Sequence, residues 1–354
     1  PFTTEICLTW TQFDEYGSLN PNDSSIIRFS KSMDQGGSWS EPVRLNRVAG
    51  DCIDGDNTVE GAVPAYGPDG EIYVAWAGPG GIMFDRSTDG GNTWLDRDIF
   101  VSDQPGGWNY SIPGIYRANG LPVTCCDVSN GPERGAIYIN WSDQRNGTDD
   151  TDIWLAKSTD GGLTWSLPIR VNDDEPGKHQ FFTWMTIDQS NGNLWFVFYD
   201  RRNYPDENTD VYLAFSEDGG ESFLNFRVSE TPFIPNQNIF FGDYTNIAVQ
   251  NGVIRPVWTR LHENQLSILT AIVDDNIVGA SVEESLIPAA TMTVSPNPFS
   301  RSSAISFRLE DFSAVSLTLY DFFGREVLSI MENQLLPAGK YLEHLDPGRG
   351  ILRP

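Results

Sequence analysis

The sequence is poor in basic residues. It has 23 Lys and Arg against 49 Asp and Glu in 354 residues, which gives a formal net charge of -26 at pH 7. A surface of that sign repels nucleic-acid phosphates and anionic lipid headgroups, so neither is expected as a partner. Long apolar runs are also missing, and no stretch approaches the ~20 apolar residues of a membrane-spanning helix. The sequence therefore disfavours binding to nucleic acids and to membrane surfaces, and it predicts no membrane span.

Cysteine is scarce as well, and the four cysteines form no CxxC pair or Cys/His cluster of the kind that binds zinc. A Cys7–Cys52 disulfide would suit an exported protein, whereas the adjacent Cys125 and Cys126 could form only a strained bridge. Four reduced, mostly buried thiols are an equal alternative. No basic and apolar leader stands at Pro1, so we expect a fragment or a processed form.

One motif, Ser-x-Asp-x-Gly-x-x-aromatic, occurs four times: SMDQGGSW from Ser32, STDGGNTW from Ser87, STDGGLTW from Ser158 and SEDGGESF from Ser216. In a tight turn, the Asp carboxylate accepts backbone N–H bonds, Gly adopts a positive φ, and the aromatic ring packs back on the hairpin. We therefore predict structural roles, and no catalytic ones, for Asp34, Asp89, Asp160 and Asp218.

A strand pattern recurs around these turns. Apolar runs end at Trp10, Trp76, Trp141, Phe198 and Trp258, and all but the first follow a short strand and a hairpin signal. Another strand follows the turn, so each unit is a four-stranded antiparallel meander, which is typical of a propeller blade. The sequence thus predicts an all-β fold over residues 1–275 with five visible blades, of which the first lacks its innermost strand.

The repeated turns resemble the Asp boxes of the sialidase and BNR-repeat superfamily, whose propellers are commonly six-bladed. The resemblance implies a sialidase-like β-propeller, either five-bladed here or completed by sequence before Pro1. It also implies a secreted glycoside hydrolase that acts on extracellular glycans. The family's Arg-Ile-Pro motif is absent and its catalytic residues cannot be matched one by one. A noncatalytic surface propeller that binds glycans or proteins, as in adhesion, therefore stays the alternative.

The C-terminal segment, residues 291–354, has a different pattern. Ile305, Phe307 and Leu309 alternate with polar residues, as do Val315, Leu317 and Leu319, which predicts two half-buried strands. With its Pro-Asn-Pro start and a hairpin at residues 321–325, the segment resembles the C-terminal sorting domain of type IX secretion substrates. This resemblance implies a small β-sandwich, truncated at its end, that engages secretion machinery and places the protein outside the cell or on its surface. Residues 276–290 are predicted to be the linker.

The predicted ligand site lies at the mouth of the ring. The Asp-box turns occupy one face of a propeller, so the loops that cross between blades converge on the other. Aromatic rings stack on sugars, Arg pairs with carboxylates, and carboxyl pairs or an activated Tyr can cleave glycosidic bonds. The predicted catalytic residues are Asp54, Glu60, Asp243 and Tyr244. The predicted substrate-binding residues are Arg117, His179, Trp184, Arg145, Arg202 and Arg260.

Each of these residues also has a structural explanation. Arg145 and Arg202 each follow an Asp by two positions, and we favour a local ion pair that braces the hairpin. No cofactor or metal is predicted. Asp149, Asp150 and Asp206 could hold a structural calcium ion through their oxygens, although their spacing matches no EF-hand loop.

Overall fold

A computed structural model describes residues 5–274, 293–295, 303–309, 312–320 and 326–345. Contacts divide the chain into two compact units, Pro1–Gly279 and Ala280–Pro354. The predicted linker at 276–290, the Pro-Asn-Pro start and the hairpin at 321–325 lie outside the described residues. Every regular element in the described ranges is a β-strand, which confirms the all-β fold class. Those ranges accordingly contain no helix of the length and hydropathy needed to cross a membrane.

The first unit consists of five antiparallel sheets that follow one another along the chain. The first sheet contains β1 (Ile6–Phe13), β2 (Ser25–Ser32) and β3 (Val43–Arg44). The second contains β4 (Glu60–Tyr66), β5 (Ile72–Gly78), β6 (Gly81–Ser87) and β7 (Ile99–Ser102). A two-stranded ribbon, β8 (Asn109–Tyr110) and β9 (Ala118–Asn119), lies in the next crossing.

The remaining sheets of this unit repeat the same order. The third contains β10 (Val123–Cys126), β11 (Ile137–Asp143), β12 (Asp152–Ser158) and β13 (Ile169–Arg170). The fourth contains β14 (Gln180–Asp188), β15 (Asn193–Asp200), β16 (Asp210–Ser216) and β17 (Leu224–Arg227). The fifth contains β18 (Asn246–Gln250), β19 (Val253–His262), β20 (Gln265–Thr270) and the short β21 (Val273–Asp274), which pairs with β19.

The strands nearest the axis are β1 in the first sheet and the innermost strand of every other sheet, and they pack side by side in the order β1, β4, β10, β14 and β18. Side-chain hydroxyls join neighbouring sheets at this point. Thr9 on β1 donates to the carbonyl oxygen of Ala62 at 2.8 Å, and Thr245 beside β18 donates to the carbonyl oxygen of Phe182 at 2.6 Å. Because β-branched side chains can satisfy a neighbour's backbone in this way, the sheets stay close around the axis without a continuous ladder between them.

The first sheet lacks an innermost strand, as its sequence predicted. It has three strands, whereas the second, third and fourth sheets have four, and no strand in the described residues pairs with the inner edge of β1. The equivalent strand β11 is buried throughout, but on β1 the side chains of Ile6 and Leu8 are 42% and 48% exposed. Trp10 consequently faces the central cavity, whereas its counterparts Trp76 and Trp141 are buried in the core.

Each Asp-box carboxylate is used within its own turn. In the third box, Ser158 donates its hydroxyl to Asp160 Oδ1 at 2.8 Å, and the backbone and hydroxyl of Thr164 donate to the two carboxylate oxygens at 2.9 and 2.6 Å. These hydrogen bonds, with that of the Thr164 hydroxyl foremost, lower the pKa of Asp160 to about 2. The same bonds recur in the other boxes, where the pKa values are also about 2: Asp34, Asp89 and Asp218.

The Asp boxes also join one sheet to the one before it. Gly91 has a φ of 81°, and a Cβ built on it would lie 2.7 Å from the ring of Phe29 on β2. Trp94, the aromatic residue of the same box, packs edge-on against Phe29 with ring centroids 4.9 Å apart. Lys31, two positions after Phe29 on β2, donates a hydrogen bond from its ammonium group to the carbonyl oxygen of Gly90. The motif's glycine and aromatic ring thus shape a contact between blades as well as a turn.

The described residues of the second unit form two small antiparallel sheets. One contains β22 (Thr293–Ser295), β23 (Ser303–Leu309) and β26 (Gly339–Leu345), and the other contains β24 (Ser313–Tyr320) and β25 (Glu326–Leu336). Ile305, Phe307 and Met331 are buried between partly buried side chains that include Val315 and Leu317. Five of the six alternating apolar residues of the two predicted strands, all but Leu319, therefore share one core, as in a small sandwich.

All four cysteines are free thiols, so the Cys7–Cys52 disulfide considered from the sequence is not formed. The Cys7 sulfur instead lies 2.8 Å from the hydroxyl oxygen of Tyr66. Burial raises the pKa of Cys125 and of Cys126 to about 12, which keeps both thiols protonated and poorly nucleophilic.

Candidate functional site

A cavity of about 540 Å³ lies where the inner strands converge, and all five sheets or the segments just before them contribute to its lining. Trp10 comes from the first sheet, Val63 from the second, Val123 from the third, Trp184 from the fourth and Trp258 from the fifth. The volume lies within the range of sites that bind small molecules. This cavity, together with the adjoining hollow around Arg117, is called the mouth below.

Five aromatic residues line the cavity: Trp10, Phe182, Trp184, Tyr244 and Trp258. Trp184 and Tyr244 meet edge to face, with ring centroids 6.2 Å apart and planes at 89°. Trp184 follows an irregularity in β14, where the register with β15 shifts between Phe181 and Trp184 and Phe182 adopts a φ of 51°. Such bulges redirect the side chains that follow them. The bulge therefore positions Trp184 beside the ring axis.

Two carboxyl groups line the same cavity. Glu60 begins β4, and its Oε1 accepts the Thr58 hydroxyl at 3.2 Å. Burial, and then the charge of Asp54, raises the pKa of Glu60. Burial also raises the pKa of Asp243, although Arg117 opposes that shift. Each carboxyl group thus holds a proton more readily than an exposed one does.

Arg117 lies between two of the mouth's acidic residues. Its Nη1 is 3.2 Å from Asp54 Oδ2, and its Nε is 3.4 Å from Asp243 Oδ1. The second contact is an ion pair without hydrogen-bond geometry, since Asp243 Oδ1 is buried and has no hydrogen-bond donor. Burial lowers the pKa of Arg117, but the charges of Asp243, Asp54 and Glu60 outweigh burial and hold it above its ordinary value.

Short local structures position these ion pairs. The ribbon of β8 and β9 closes the loop that carries Arg117, immediately before β9. The side chain of Asn119 in β9 donates to the carbonyl oxygen of Asp243 at 3.0 Å, which ties the segment before β18 to the ribbon. Tyr16 donates its hydroxyl to Asp54 Oδ2 at 2.5 Å. Arg117, Asp54 and Tyr116 line an adjoining hollow of about 430 Å³.

The structure thus brings together six of the predicted site residues: Asp54, Glu60, Arg117, Trp184, Asp243 and Tyr244. Sequence reasoning missed Trp10, Tyr16, Phe182 and Trp258 at this site. Trp10 ends an apolar run like the runs that end at the buried residues Trp76 and Trp141. The one sequence signal that distinguishes it is that no strand pattern precedes its run, and no strand of the described residues covers the inner edge of β1. Tyr16 lies in a loop whose sequence carries no periodic signal.

Arg145 and Arg202 do not line the cavity and lie instead in ion pairs with the Asp two positions earlier. Arg145 Nη2 is 2.6 Å from Asp143 Oδ2, and its guanidinium lies 4.4 Å from the ring centroid of Trp154. Arg202 Nη2 is 2.7 Å from Asp200 Oδ2, and its guanidinium lies over the ring of Tyr212. Both have the geometry of the bracing role that the sequence analysis favoured.

The last two predicted residues also lie elsewhere. His179 Nδ1 is 3.0 Å from the hydroxyl oxygen of Thr151, and burial lowers its pKa to about 4, so the ring is neutral near pH 7. Arg260 lines a separate hollow of about 550 Å³ together with Glu230 and Leu269. Neither side chain lines the mouth.

No metal site is present in the described part of the chain, where no three His, Cys, Asp or Glu side chains are grouped to hold an ion. Among the carboxylates considered for calcium, Asp150 accepts the backbone N–H of Gly177 at 2.7 Å, and Asp206 accepts that of Asn208 at 3.0 Å. Asp206 therefore serves as an acceptor within its own loop, and Asp150 serves as an acceptor for the loop before β14.

Solved structures similar to this chain include two sialidases and a polysaccharide lyase. NanB sialidase from Streptococcus pneumoniae is 15% identical with a TM-score of 0.42, over 70% of this chain and 35% of NanB. Hadza microbial sialidase Hz136 is 16% identical with a TM-score of 0.42, over 89% of this chain and 68% of Hz136. Polysaccharide lyase Uly1 is 11% identical with a TM-score of 0.44, over 98% of this chain and 88% of Uly1.

No protein-family model matches the sequence, and neither does any curated protein. This chain spans about a third of the length of NanB, at 35%. Likenesses of this degree assign no activity to the chain. The function is therefore argued from the mouth itself.

Proposed function

We propose that the propeller unit binds extracellular glycans at the mouth. The observation that carries this proposal is the joint lining of one cavity by five aromatic residues and two carboxyl groups, which come from four sheets or the segments just before them. Aromatic faces pack against the apolar face of a sugar ring, and carboxyl groups accept hydrogen bonds from its hydroxyls. A cavity with this combination suits a sugar better than a purely apolar or a purely charged ligand.

Trp184 and Tyr244 supply the stacking surface in this proposal. They meet at right angles on one side of the cavity, so a sugar ring can lie against one face while its edge touches the other. Burial, and then the charges of Asp243 and Glu60, raises the pKa of Tyr244. The phenol therefore keeps its proton, which favours stacking and hydrogen bonding over attack as a phenolate.

Aromatic substitutions test the binding site. Trp184→Ala should weaken glycan binding by roughly tenfold or more, because stacking surface at a buried contact is lost. Trp39→Ala is the matched control, since Trp39 is an exposed aromatic residue of an Asp box and does not line the mouth. Binding is measured on a glycan array and then by calorimetry. Equal losses for the two variants, or binding that survives Trp184→Ala, would contradict the proposed site.

Glycosidic hydrolysis is a second function, favoured by the raised pKa values of Glu60 and Asp243. One protonated carboxyl donates its proton to the leaving oxygen as the glycosidic C–O bond breaks. The other, ionised, takes a proton from the water that bonds to the anomeric carbon. Two carboxyl groups in one cavity, one protonated and the other ionised, are the minimum for this chemistry.

Amide variants separate hydrolysis from binding. Glu60→Gln and Asp243→Asn should each lower turnover of fluorogenic glycosides by at least ~100-fold while glycans still bind. Turnover by the unaltered chain should follow a bell-shaped pH profile, because one carboxyl must be protonated and the other ionised. If the unaltered chain binds glycans but turns over none of the glycosides, the noncatalytic alternative is correct.

The C-terminal unit serves export and surface attachment in this proposal. Support comes from the resemblance of residues 291–354 to a sorting domain and from the small two-sheet core around Ile305 and Phe307. Fusing residues 280–354 to a folded reporter in a bacterium with type IX secretion should place the reporter outside the cell. A reporter that stays in the periplasm, with intact fusion protein present, would refute this role for the segment as it stands.

A further inference from the structure

Acidic side chains outnumber basic ones around the mouth. Asp54, Glu60 and Asp243 lie there with Arg117, and no other Lys, Arg or His of the described ranges lines the cavity or its adjoining hollow. The whole chain has the same sign, with a formal net charge of -26. A ligand that enters the mouth therefore meets more negative than positive charge.

Arg117 is the only cationic side chain among the described residues that line the mouth, and it is already engaged. Arg117 holds Asp54 through Nη1 and faces Asp243 through Nε, at 3.2 and 3.4 Å. Arginine recognises a carboxylate best through two N–H groups at once. A carboxylate on a ligand would have to displace one of these partners and leave that partner uncompensated in a partly buried position.

The other arginines cannot take over this role from where they lie. Arg145 and Arg202 are held by Asp143 and Asp200, both of which are fully buried. Arg260 lines a different hollow. Unlike a site with several convergent arginines, the mouth offers hydrogen-bond acceptors and aromatic surface.

The negative charges of the mouth's carboxyl groups also disfavour an anionic ligand. Burial, and then the charge of Asp54, raises the pKa of Glu60, so the mouth already disfavours another negative charge at that position. At an effective dielectric constant of ~20, two like charges ~5 Å apart repel by enough to change an affinity more than tenfold.

From these contacts we infer that the mouth selects sugar residues without a carboxylate or sulfate group. This inference rests on the proposed glycan site and names its substrate class as neutral glycans. Sugar hydroxyls donate to Glu60 and Asp243, whereas an anionic substituent finds no free guanidinium.

Matched sugar pairs test the inference on the full chain. Oligosaccharides that end in glucose or galactose are compared with the same oligosaccharides that end in glucuronic or galacturonic acid, at low ionic strength. The two members of a pair differ by a hydroxymethyl and a carboxylate group. The neutral member should bind at least about tenfold more tightly. Equal or tighter binding of the uronic acid would overturn the inference and leave the glycan site standing. Failure of every oligosaccharide to bind would refute the glycan site and the inference with it.

Two variants test the cause of the selectivity. Asp54→Asn removes one anionic partner of Arg117 and keeps an oxygen acceptor for Tyr16, so the preference for the neutral member should fall at least threefold. Asp56→Asn removes the same charge two positions away, where the carboxylate accepts the backbone N–H of Asn109 and makes no ion pair with Arg117. If the two variants change the preference equally, the engagement of Arg117 is not the cause.

Discussion

The contact between blades at the second Asp box can be tested by adding one methyl group. Gly91→Ala introduces a Cβ that would lie 2.7 Å from the Phe29 ring, closer than two carbons can approach, and Phe29 is only 1% exposed. The left-handed backbone, with φ at 81°, costs about 1–2 kcal/mol for any residue with a Cβ. Overpacking against a buried ring adds about 1–3 kcal/mol. We expect Gly91→Ala to lower the free energy of unfolding by about 2–5 kcal/mol.

Gly36→Ala is the matched control. Gly36 has the same place in the first Asp box, a φ of 89° and the same 2.8 Å hydrogen bond from its N–H to the box serine. A Cβ there would have no neighbour closer than 4.0 Å. Its cost is therefore the backbone strain alone, about 1–2 kcal/mol. The difference between the two variants isolates the contact with Phe29.

Urea unfolding followed by tryptophan fluorescence measures both costs. All 11 tryptophans lie between Trp10 and Trp258, so the signal reports the propeller unit alone. Phe29→Leu provides a second check, because a smaller side chain leaves room for the new methyl and should make Gly91→Ala less costly. If Gly91→Ala costs no more than Gly36→Ala, or if Phe29→Leu leaves its cost unchanged, the packing argument is refuted.

Burial raises the pKa of Asp85 to about 7, so the folded state keeps a proton that the unfolded state releases, and stability should fall as the pH rises from about 4 to about 7. Asp85→Asn should flatten that dependence between about pH 4 and 7; urea midpoints that change with pH in the same way for both proteins would refute it. The pKa of Asp160 is lowered to about 2, so its contribution should be complete above its ordinary value near 3.8 and disappear as the pH falls toward 2. Asp160→Asn should show no such acid-dependent loss, and an unchanged acid transition would count against the turn geometry. Hydrogen exchange should be faster in β1 than in β11, since no strand of the described residues pairs with the inner edge of β1; equal protection in the two strands would contradict that unpaired edge.

Much of the fold could be predicted because its signals are local. The Asp-box turn closes through hydrogen bonds between residues two to four positions apart, such as Ser158, Asp160 and Thr164. The strands around it show their two-residue alternation or continuous apolar runs in the sequence itself. Even the ion pair by which Arg145 braces its hairpin forms with a residue only two positions earlier, Asp143. These interactions need no knowledge of where the rest of the chain lies.

The makeup of the mouth depended on the tertiary structure. Arg117 and Asp54 are 63 positions apart, and they meet because two crossings reach the same side of the ring. Loop side chains have no periodicity, so the sequence placed His179 and Arg117 in one set although only Arg117 lies at the mouth. From the sequence alone, Trp10 is equivalent to Trp76, because both end the same kind of apolar run. Trp10 faces the cavity because a blade's second strand stays buried only when an inner strand covers it. The sequence by itself thus determined the turns, strands and repeat, whereas the packing of sheets around one axis decided which side chains share the site.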